Sequence, residues 1–223
     1  MARLPRIVIP AHPHHVTQRG NRRAQSFFEE GDYVLYRDML GEAAQKAEAK
    51  IWCYCLMPNH VYIIIVPSDK DGLRRTFAQA HRRYTGYINV RMRTTGHLWQ
   101  GRFGSVVMDE QHLAHAVCYV SLKPVRAKLV KHAQNWKWSS VDAHLSGYDD
   151  GLVTVAPVLE RYGNFALFLS QDTDNGQAYR DLRRAEMIGR PLGSDKWIQN
   201  LEKLTGKQLK LRKRGPKKKD ISR

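Results

Sequence analysis

Apolar and polar positions follow two different periods along the first part of this 223-residue chain. Apolar residues recur every three or four positions over 31–50 and again over 72–91, which predicts two amphipathic helices. Between them, 51–66 is rich in β-branched and aromatic residues on both sides of a Pro-Asn pair, a pattern typical of a β-hairpin. A shorter β-rich segment, 14–20, precedes the first helix and ends at a glycine.

Two more elements are predicted after the second helix. A glycine-rich connection begins at residue 94 and runs into the apolar segment 106–108, which indicates a further strand. A third helix is predicted to begin near Asp109 and to end by Lys123, because Pro124 disfavours helical backbone in the residue before it. A sheet of roughly four strands crossed by two long helices indicates an α+β layered domain.

The composition changes after about residue 148, which divides the chain into three predicted parts. Residues 1–148 form the α+β domain, and 149–206 form a helical, amphipathic extension. The last part, 207–223, is a basic tail expected to be disordered when free, because the segment 203–219 holds nine Lys or Arg and no acid. Breaks within the extension are expected at Pro157, Gly163 and 189–193.

The charge balance narrows the class of partner. A formal net charge of +16 favours nucleic acid, whose phosphates release counterions when Lys and Arg neutralise them. A soluble basic protein without such a partner is the alternative. The three cysteines have no zinc-ligand spacing, so a reduced, cytosolic setting is expected. No apolar run approaches the roughly 18 residues of a membrane helix, and no signal-peptide core precedes Pro10.

Four residues carry the candidate chemistry. His60 and Tyr62 alternate onto one face of the second hairpin strand. Tyr119 and Lys123 lie four positions apart on the third predicted helix and so share a face. A tyrosine hydroxyl is a poor nucleophile unless the phosphate that it attacks is polarised. The alternative is that Tyr119 is an ordinary helix aromatic.

Four motif segments occur in order along the chain: His14-His15-Val16-Thr17-Gln18-Arg19-Gly20-Asn21-Arg22-Arg23, Tyr54-Cys55-Leu56-Met57-Pro58-Asn59-His60-Val61, Leu98-Trp99-Gln100-Gly101-Arg102-Phe103, and Tyr119-Val120-Ser121-Leu122-Lys123-Pro124-Val125-Arg126-Ala127. Together they resemble the single-tyrosine HUH transposases, and most closely the REP-associated tyrosine transposases (RAYTs). The resemblance covers about residues 4–147.

This resemblance implies a fold, a metal and a reaction. The family fold is a ferredoxin-like antiparallel sheet with helices on one face, the HUH nuclease fold. In that family two histidines on a central strand hold Mg²⁺ or Mn²⁺. A helix tyrosine attacks single-stranded DNA and leaves a 5′-phosphotyrosine and a free 3′-hydroxyl. By this resemblance His60 matches the first metal histidine, and Tyr119 matches the nucleophile.

Two positions depart from the family pattern. The second histidine is Tyr62, and the polar residue four after the nucleophile, usually Asn or Gln, is Lys123. A neutral phenol is a weak ligand for Mg²⁺ or Mn²⁺, and an ammonium cannot ligate a cation. Since two of the three expected protein contacts are altered, we expect an impaired metal site. Either the Lys123 ammonium supplies part of the missing charge, or the chain is inactive.

The resemblance also implies a DNA partner, either single-stranded or folded into the imperfect hairpins of repeated extragenic palindromes (REPs). Basic grooves with aromatic platforms bind single strands. The predicted DNA-binding residues are Arg19, Asn21, Arg22, Arg23, Arg82, Arg83, Trp99, Gln100, Arg102, Arg126, Arg190, Arg212, Arg214 and Lys217. Alternatively Trp99 plugs the core, the basic tail binds phosphates without reading sequence, and the histidines at 12, 14 and 15 are solvated rather than in contact with DNA.

Two function classes follow from these observations. The leading one is a single-stranded DNA endonuclease and strand transferase, acting in the cytoplasm with the nucleoid, as a monomer or homodimer. Transesterification conserves bond energy, so no nucleotide cofactor is expected. The alternative, favoured by Tyr62 and Lys123, is a noncatalytic, regulatory DNA-hairpin-binding protein on the same scaffold. An RNA-binding protein fits the charge but has no RNA-binding signature.

Overall fold

A computed structural model of the chain describes residues 6–171 and 176–210. The first half follows the order βαββαβ. Its elements are β1 (His14–Arg19), α1 (Glu30–Lys46), β2 (Lys50–Met57), β3 (His60–Val66), α2 (Gly72–Arg91) and β4 (Gly104–Val107). Neighbouring strands pair antiparallel in the order β2-β3-β1-β4. This is the split βαβ arrangement of a ferredoxin-like sheet, so the predicted α+β fold is confirmed.

The second half of the chain is helical. Its helices are α3 (Glu110–Ser121), α4 (Lys123–Arg126), α5 (Val141–Ser146), α6 (Ala156–Tyr162), α7 (Phe165–Ser170), α8 (Gly176–Ile188) and α9 (Asp195–Thr205). The expected breaks at Gly163 and 189–193 fall between helices. Pro157 instead lies in the first turn of α6, where its missing N–H has no intrahelical partner to lose. The predicted tail lies outside the described residues from position 211 onward.

Helices cover both faces of the sheet. Helices α1 and α2 pack on one face, against residues such as Val16 and Ile63, and are the helices of the predicted ferredoxin-like fold. The other face, called here the α3 face, is covered by α3 and α8. It needs this second cover because Cys55, Ile64 and Val106 make it apolar as well.

A buried ion pair joins α1 to α2. The Asp32 side chain is 0% exposed, and its Oδ2 accepts a hydrogen bond from Arg91 Nη2 at 2.8 Å. The same oxygen accepts from the backbone N–H of Phe28 at 2.7 Å, just before α1 begins. Asp32 therefore caps the first turn of α1 and holds the last turn of α2 at the same time.

Two histidines that the sequence placed at a solvated edge are buried, because β1 is a central strand. His14 and His15 are both 0% exposed. The N–H of Ile9 donates to His14 Nε2 at 3.1 Å, so the imidazole is neutral and its Nδ1 donates to the His12 carbonyl at 2.8 Å. Burial lowers the pKa of His14 to about 3, and burial likewise lowers the pKa of His81 on α2 to about 3.

The low pKa values of these two imidazoles make the protein sensitive to acid. The unfolded chain takes up protons at His14 and His81 below pH 6.5, while the folded state resists protonation down to about pH 3. Their contribution to stability is thus complete above pH 6.5 and is lost progressively as the pH falls through that window. We expect His14→Gln to flatten the pH dependence of the free energy of unfolding between neutral and acid pH, by up to about 1.4 kcal/mol per pH unit.

Urea unfolding at a series of pH values measures this slope. His97→Gln, at an exposed position, is the matched control and should leave the slope as in wild type. An unchanged slope in His14→Gln would contradict the assignment of a neutral, buried imidazole.

Candidate active site

Strands β1 and β3 place the predicted site residues on the α3 face. Arg19 lies directly opposite His60 in the antiparallel register, and strand alternation puts His15 and Tyr62 on the same face. Helix α3 brings Tyr119 over these residues, with its ring centroid 5.9 Å from that of Tyr62. The structure therefore brings together residues that are more than 100 positions apart along the chain.

Tyr119 and Lys123 are in direct contact. The two residues lie on successive helices and not on one helix as predicted, because α3 ends at Ser121 and Lys123 begins α4. The Lys123 Nζ donates a hydrogen bond to Tyr119 Oη at 2.8 Å. The same ammonium lies 4.4 Å from the ring centroid of Tyr119 and 4.7 Å from that of Tyr62. One cation thus contacts both tyrosines of the site, which places positive charge beside the candidate nucleophile.

Burial controls the protonation of both groups. Tyr119 is 3% exposed, and burial, followed by the charge of Glu186, raises its pKa to about 12. Burial lowers the pKa of Lys123, against the opposing effect of Glu186. The phenol is neutral at physiological pH, and burial moves the lysine toward its amine form.

His60 is held by two hydrogen bonds that define its tautomer. Its Nδ1 lies 2.7 Å from Asn59 Oδ1, an acceptor, so Nδ1 carries the proton. Its Nε2 accepts a hydrogen bond from Arg19 Nε. Burial, and then the positive charges of Arg19 and Lys123, lower the pKa of His60 to about 4, so the ring is neutral at physiological pH.

The metal implied by the resemblance does not fit these donors. The one lone pair of neutral His60 that could ligate a cation is directed at the Arg19 guanidinium. Burial raises the pKa of Tyr62 well above its ordinary value, so its hydroxyl is a neutral phenol, and the third position is an ammonium. Within 6–171 and 176–210, no group of three His, Cys, Asp or Glu side chains is arranged to hold a metal ion. The side chains of Arg19 and Lys123 place two positive charges where a divalent metal ion would have to bind.

Glu186 on α8 belongs to the site and was missed from the sequence. Its Oε1 lies 2.9 Å from His15 Nδ1, an ion-pair distance when the imidazole is protonated. The contact lacks the angles of a hydrogen bond, and neither ring nitrogen of His15 has another hydrogen-bond partner among the described residues. The apolar period of α8, with Leu182 and Ala185 buried, is visible in the sequence, but the surface that this stripe covers is not.

An open cleft of about 570 Å³ runs along this site. Of the predicted residues, Arg19, Gln100 and Arg102 contribute to its wall, together with the candidate metal residues His60 and Tyr62. Tyr119 lies behind the wall. The lining also includes Arg6, Thr17, Gln18, Phe103, Gly104, Ser105, and residues 186–189 at the C-terminal end of α8 and just beyond it.

The other predicted DNA-binding residues lie at several places. Arg22 and Arg23 are exposed in a 3₁₀ turn that follows β1, next to Asn21. Arg82 is exposed beside a second cleft of about 440 Å³, whereas Arg83 pairs with Glu42. Arg126 lies over the ring of Tyr179 at 3.9 Å, Arg190 donates to the carbonyl of Gln208 at 3.0 Å, and Arg212, Arg214 and Lys217 lie outside the described residues.

Trp99 is a core residue, one of the two alternatives left open by the sequence. It is 7% exposed and packs against the rings of Phe27, Tyr84 and His81, the last at 4.8 Å between centroids. The glycine-rich connection pairs with the end of β1 through Gly20, which turns the indole inward. This packing argues against Trp99 as a platform on which a DNA base stacks.

The described residues include no helix that is long and apolar enough to cross a membrane. The three cysteines, Cys53, Cys55 and Cys118, are free thiols and are buried.

Comparison with known proteins gives one family. The family model of IS200-like transposases matches residues 9–123, just over half of the chain. Among solved structures, the fold is similar to that of a REP-associated tyrosine transposase bound to a REP hairpin, with a TM-score of 0.57 and 20% identity over 69% of this chain and 92% of that chain. A candidate transposase from Deinococcus radiodurans R1 has a TM-score of 0.38 and 16% identity, over 60% of this chain and 98% of that one. No sequence among curated proteins matches this chain. On the match to residues 9–123, the chain belongs to the IS200-like transposase family.

Proposed function

We propose that this chain is a RAYT-type enzyme that cleaves and rejoins single-stranded DNA beside REP-like hairpins, with Tyr119 as the nucleophile. The observation that carries the proposal is the contact between Tyr119 Oη and Lys123 Nζ, 2.8 Å long, on the same sheet face as His60. Membership of a transposase family and the likeness of the fold to a transposase that binds a REP hairpin support the DNA substrate.

The proposed step exchanges one phosphate ester for another. Tyr119 Oη bonds to phosphorus as the bond from phosphorus to the 3′ oxygen breaks, and the downstream strand stays on the tyrosine as a 5′-phosphotyrosine. The Lys123 ammonium first loses a proton to solvent, a loss that burial makes easier because it lowers the pKa of this lysine, and the resulting amine takes the phenolic proton and returns it to the departing 3′ oxygen. The ester energy is kept in the phosphotyrosine, so the reverse reaction joins a new 3′ end without a nucleotide cofactor.

The DNA path in this proposal follows the cleft and the basic turn next to it. Arg19, Gln100 and Arg102 lie along the cleft wall, and Arg22 and Arg23 extend the positive surface from the end of β1. A single strand laid along these residues brings its backbone phosphates to the α3 face.

A noncatalytic DNA-hairpin-binding protein is the second candidate. Two observations favour it, namely the burial of Tyr119 behind the cleft wall and the donor set around His60, which does not suit a metal ion. On this view the scaffold and its positive surface remain, and the chemistry is absent.

One experiment separates the two candidates. The full chain is incubated with a hairpin oligonucleotide that carries a single-stranded flank and a label at its 3′ end, in EDTA and in Mn²⁺. The proposed enzyme transfers the label to the protein, giving a covalent band on a denaturing gel in both conditions. A band only in Mn²⁺ would overturn the impaired metal site. Hairpin binding without any band would favour the noncatalytic protein, the more so if Tyr62→His combined with Lys123→Asn then gave a band in Mn²⁺.

A further inference from the structure

We propose that Arg19, oriented by His60, is the phosphate-binding group of this cleft and takes the electrostatic role of a divalent ion. The presence of an anion site rests on the geometry of Arg19 alone. Its assignment to the scissile DNA phosphate rests on the proposed function.

A chain of hydrogen bonds fixes the direction of the guanidinium. Asn59 Oδ1 accepts from His60 Nδ1 at 2.7 Å, which leaves Nε2 as the acceptor that receives Arg19 Nε–H. The histidine that would otherwise direct its lone pair at a metal directs it at an arginine. An arginine has five N–H donors in a planar fork, so the four N–H groups of the two Nη atoms remain for a ligand.

The backbone around Arg19 is held on both sides. The carbonyl of Arg19 accepts from the N–H of Gln100 at 2.8 Å, and the next N–H, from Gly20, donates to the Asn59 carbonyl at 2.9 Å. Only glycine fits at position 20, because a Cβ there would lie 2.1 Å from the carbonyl oxygen of Ala24. Arg19 and His60, called here the clamp, are thus held by hydrogen-bonded backbone at the end of a central strand. A pre-organised anion site requires such fixed backbone.

Arg19 differs from the arginines that stabilise the fold. Arg37 and Arg91 each pair with an aspartate. Arg19 has no carboxylate partner among the described residues, its side-chain hydrogen bond goes to a neutral imidazole, and it is exposed on the wall of the cleft. A cation that is oriented by the protein and left without an acidic partner suits a phosphodiester, whose two nonbridging oxygens match the fork.

Such a clamp stabilises the negative charge that develops on the phosphate while the DNA strand is transferred to Tyr119. As Tyr119 Oη bonds to phosphorus and the 3′ oxygen departs, negative charge grows on the nonbridging oxygens, and Arg19 stabilises it without gaining or losing a proton. Burial raises the pKa values of Tyr62 and Tyr119, and Arg19 is among the cations that oppose this rise, which places it within electrostatic reach of both phenols.

The first test uses no DNA and no catalysis. Inorganic phosphate is titrated into the full, ¹⁵N-labelled chain while the Arg19 Nε and His60 Nε2 resonances are followed. We expect both resonances to shift and saturate together, and Arg19→Ala to weaken phosphate binding at least tenfold. Arg74→Ala removes the same charge from an exposed site on α2 and should change the affinity less than twofold. Mn²⁺ alone should not selectively broaden the His60 signals.

The second test separates an orienting histidine from a metal ligand. His60→Gln keeps an oxygen acceptor for Arg19, whereas His60→Ala does not, so the first variant should retain phosphate affinity within threefold and the second should lose it. If the chain forms the phosphotyrosine adduct, Arg19→Ala should slow adduct formation about 100-fold, with partial rescue by millimolar guanidinium and no effect of EDTA.

Two results would overturn the clamp, namely unchanged phosphate affinity in Arg19→Ala, or selective broadening of His60 by stoichiometric Mn²⁺. If wild type formed no adduct while the phosphate titration behaved as expected, the proposed function would fail and the anion site would stand.

Discussion

Tyr119→Phe is expected to abolish the covalent protein–DNA adduct, lowering its rate of formation by about 10³-fold or more. The substitution removes the attacking oxygen and keeps the ring, which packs against Tyr179 with centroids 5.1 Å apart. The site contains a second tyrosine, Tyr62, which lines the cleft directly, whereas Tyr119 lies behind the cleft wall. Tyr119 is nevertheless the expected nucleophile, because its hydroxyl is the one that contacts Lys123.

Tyr62→Phe is the discriminating companion variant and should form the adduct within about tenfold of the wild-type rate. Labelled hairpin DNA, denaturing gels and peptide mapping of the modified tyrosine measure both variants side by side. Circular dichroism shows whether Tyr119→Phe is folded, since its Lys123 ammonium loses a buried acceptor. An adduct that survives in Tyr119→Phe and disappears in Tyr62→Phe would reassign the nucleophile to the strand.

The second large effect concerns stability. Arg91→Ala is expected to reduce the free energy of unfolding by about 3–5 kcal/mol, because it leaves the fully buried Asp32 carboxylate without its cation. For a chain of this size, that loss corresponds to a fall in Tm of about 10 °C. The two long helices on the face opposite the candidate active site also lose the contact that joins their ends.

Arg74→Ala provides the matched comparison for Arg91→Ala. Arg74 is also an arginine of α2 paired with an aspartate, Asp71, but both side chains are more than 60% exposed. Its removal should cost no more than about 0.5 kcal/mol. Thermal and urea unfolding of the two variants give the difference. Equal losses would mean that the buried pair contributes no more than a surface pair does.

Elements with a strong period were predictable from the sequence. The second helix has the bounds Gly72–Arg91 that its apolar stripe indicates, and the third ends at Ser121, shortly before Pro124. The hairpin turn at Pro58-Asn59 was predictable because few other residues suit that turn chemistry. The four-residue spacing of Tyr119 and Lys123 also indicated their contact, although Lys123 lies at the start of α4 and not on the same helix as Tyr119.

Contacts that depend on the order of strands and on distant docking were not predictable. Two adjacent histidines are typical of a solvent-exposed strand edge. His14 and His15 are buried because β1 is a central strand of the sheet. Glu186 lies more than 120 residues from His60, and no local pattern indicates that α8 covers the α3 face. The sequence around Trp99 fitted a DNA-stacking platform and a core residue equally well. The pairing of the glycine-rich connection with the end of β1 places Trp99 in the core.

The docking of α8 has a consequence for how this protein can diverge from its relatives. The segment shared with the family ends at residue 123, yet Glu186, on the wall of the cleft, comes from a helix beyond it. Copies with identical strand and tyrosine motifs can therefore acquire different charge opposite the proposed DNA path through drift in the C-terminal region alone. A single codon change from Glu to Lys at position 186 would reverse the sign there. On the proposed DNA path, target preference in such a lineage can evolve without changes in the motif residues that identify its members.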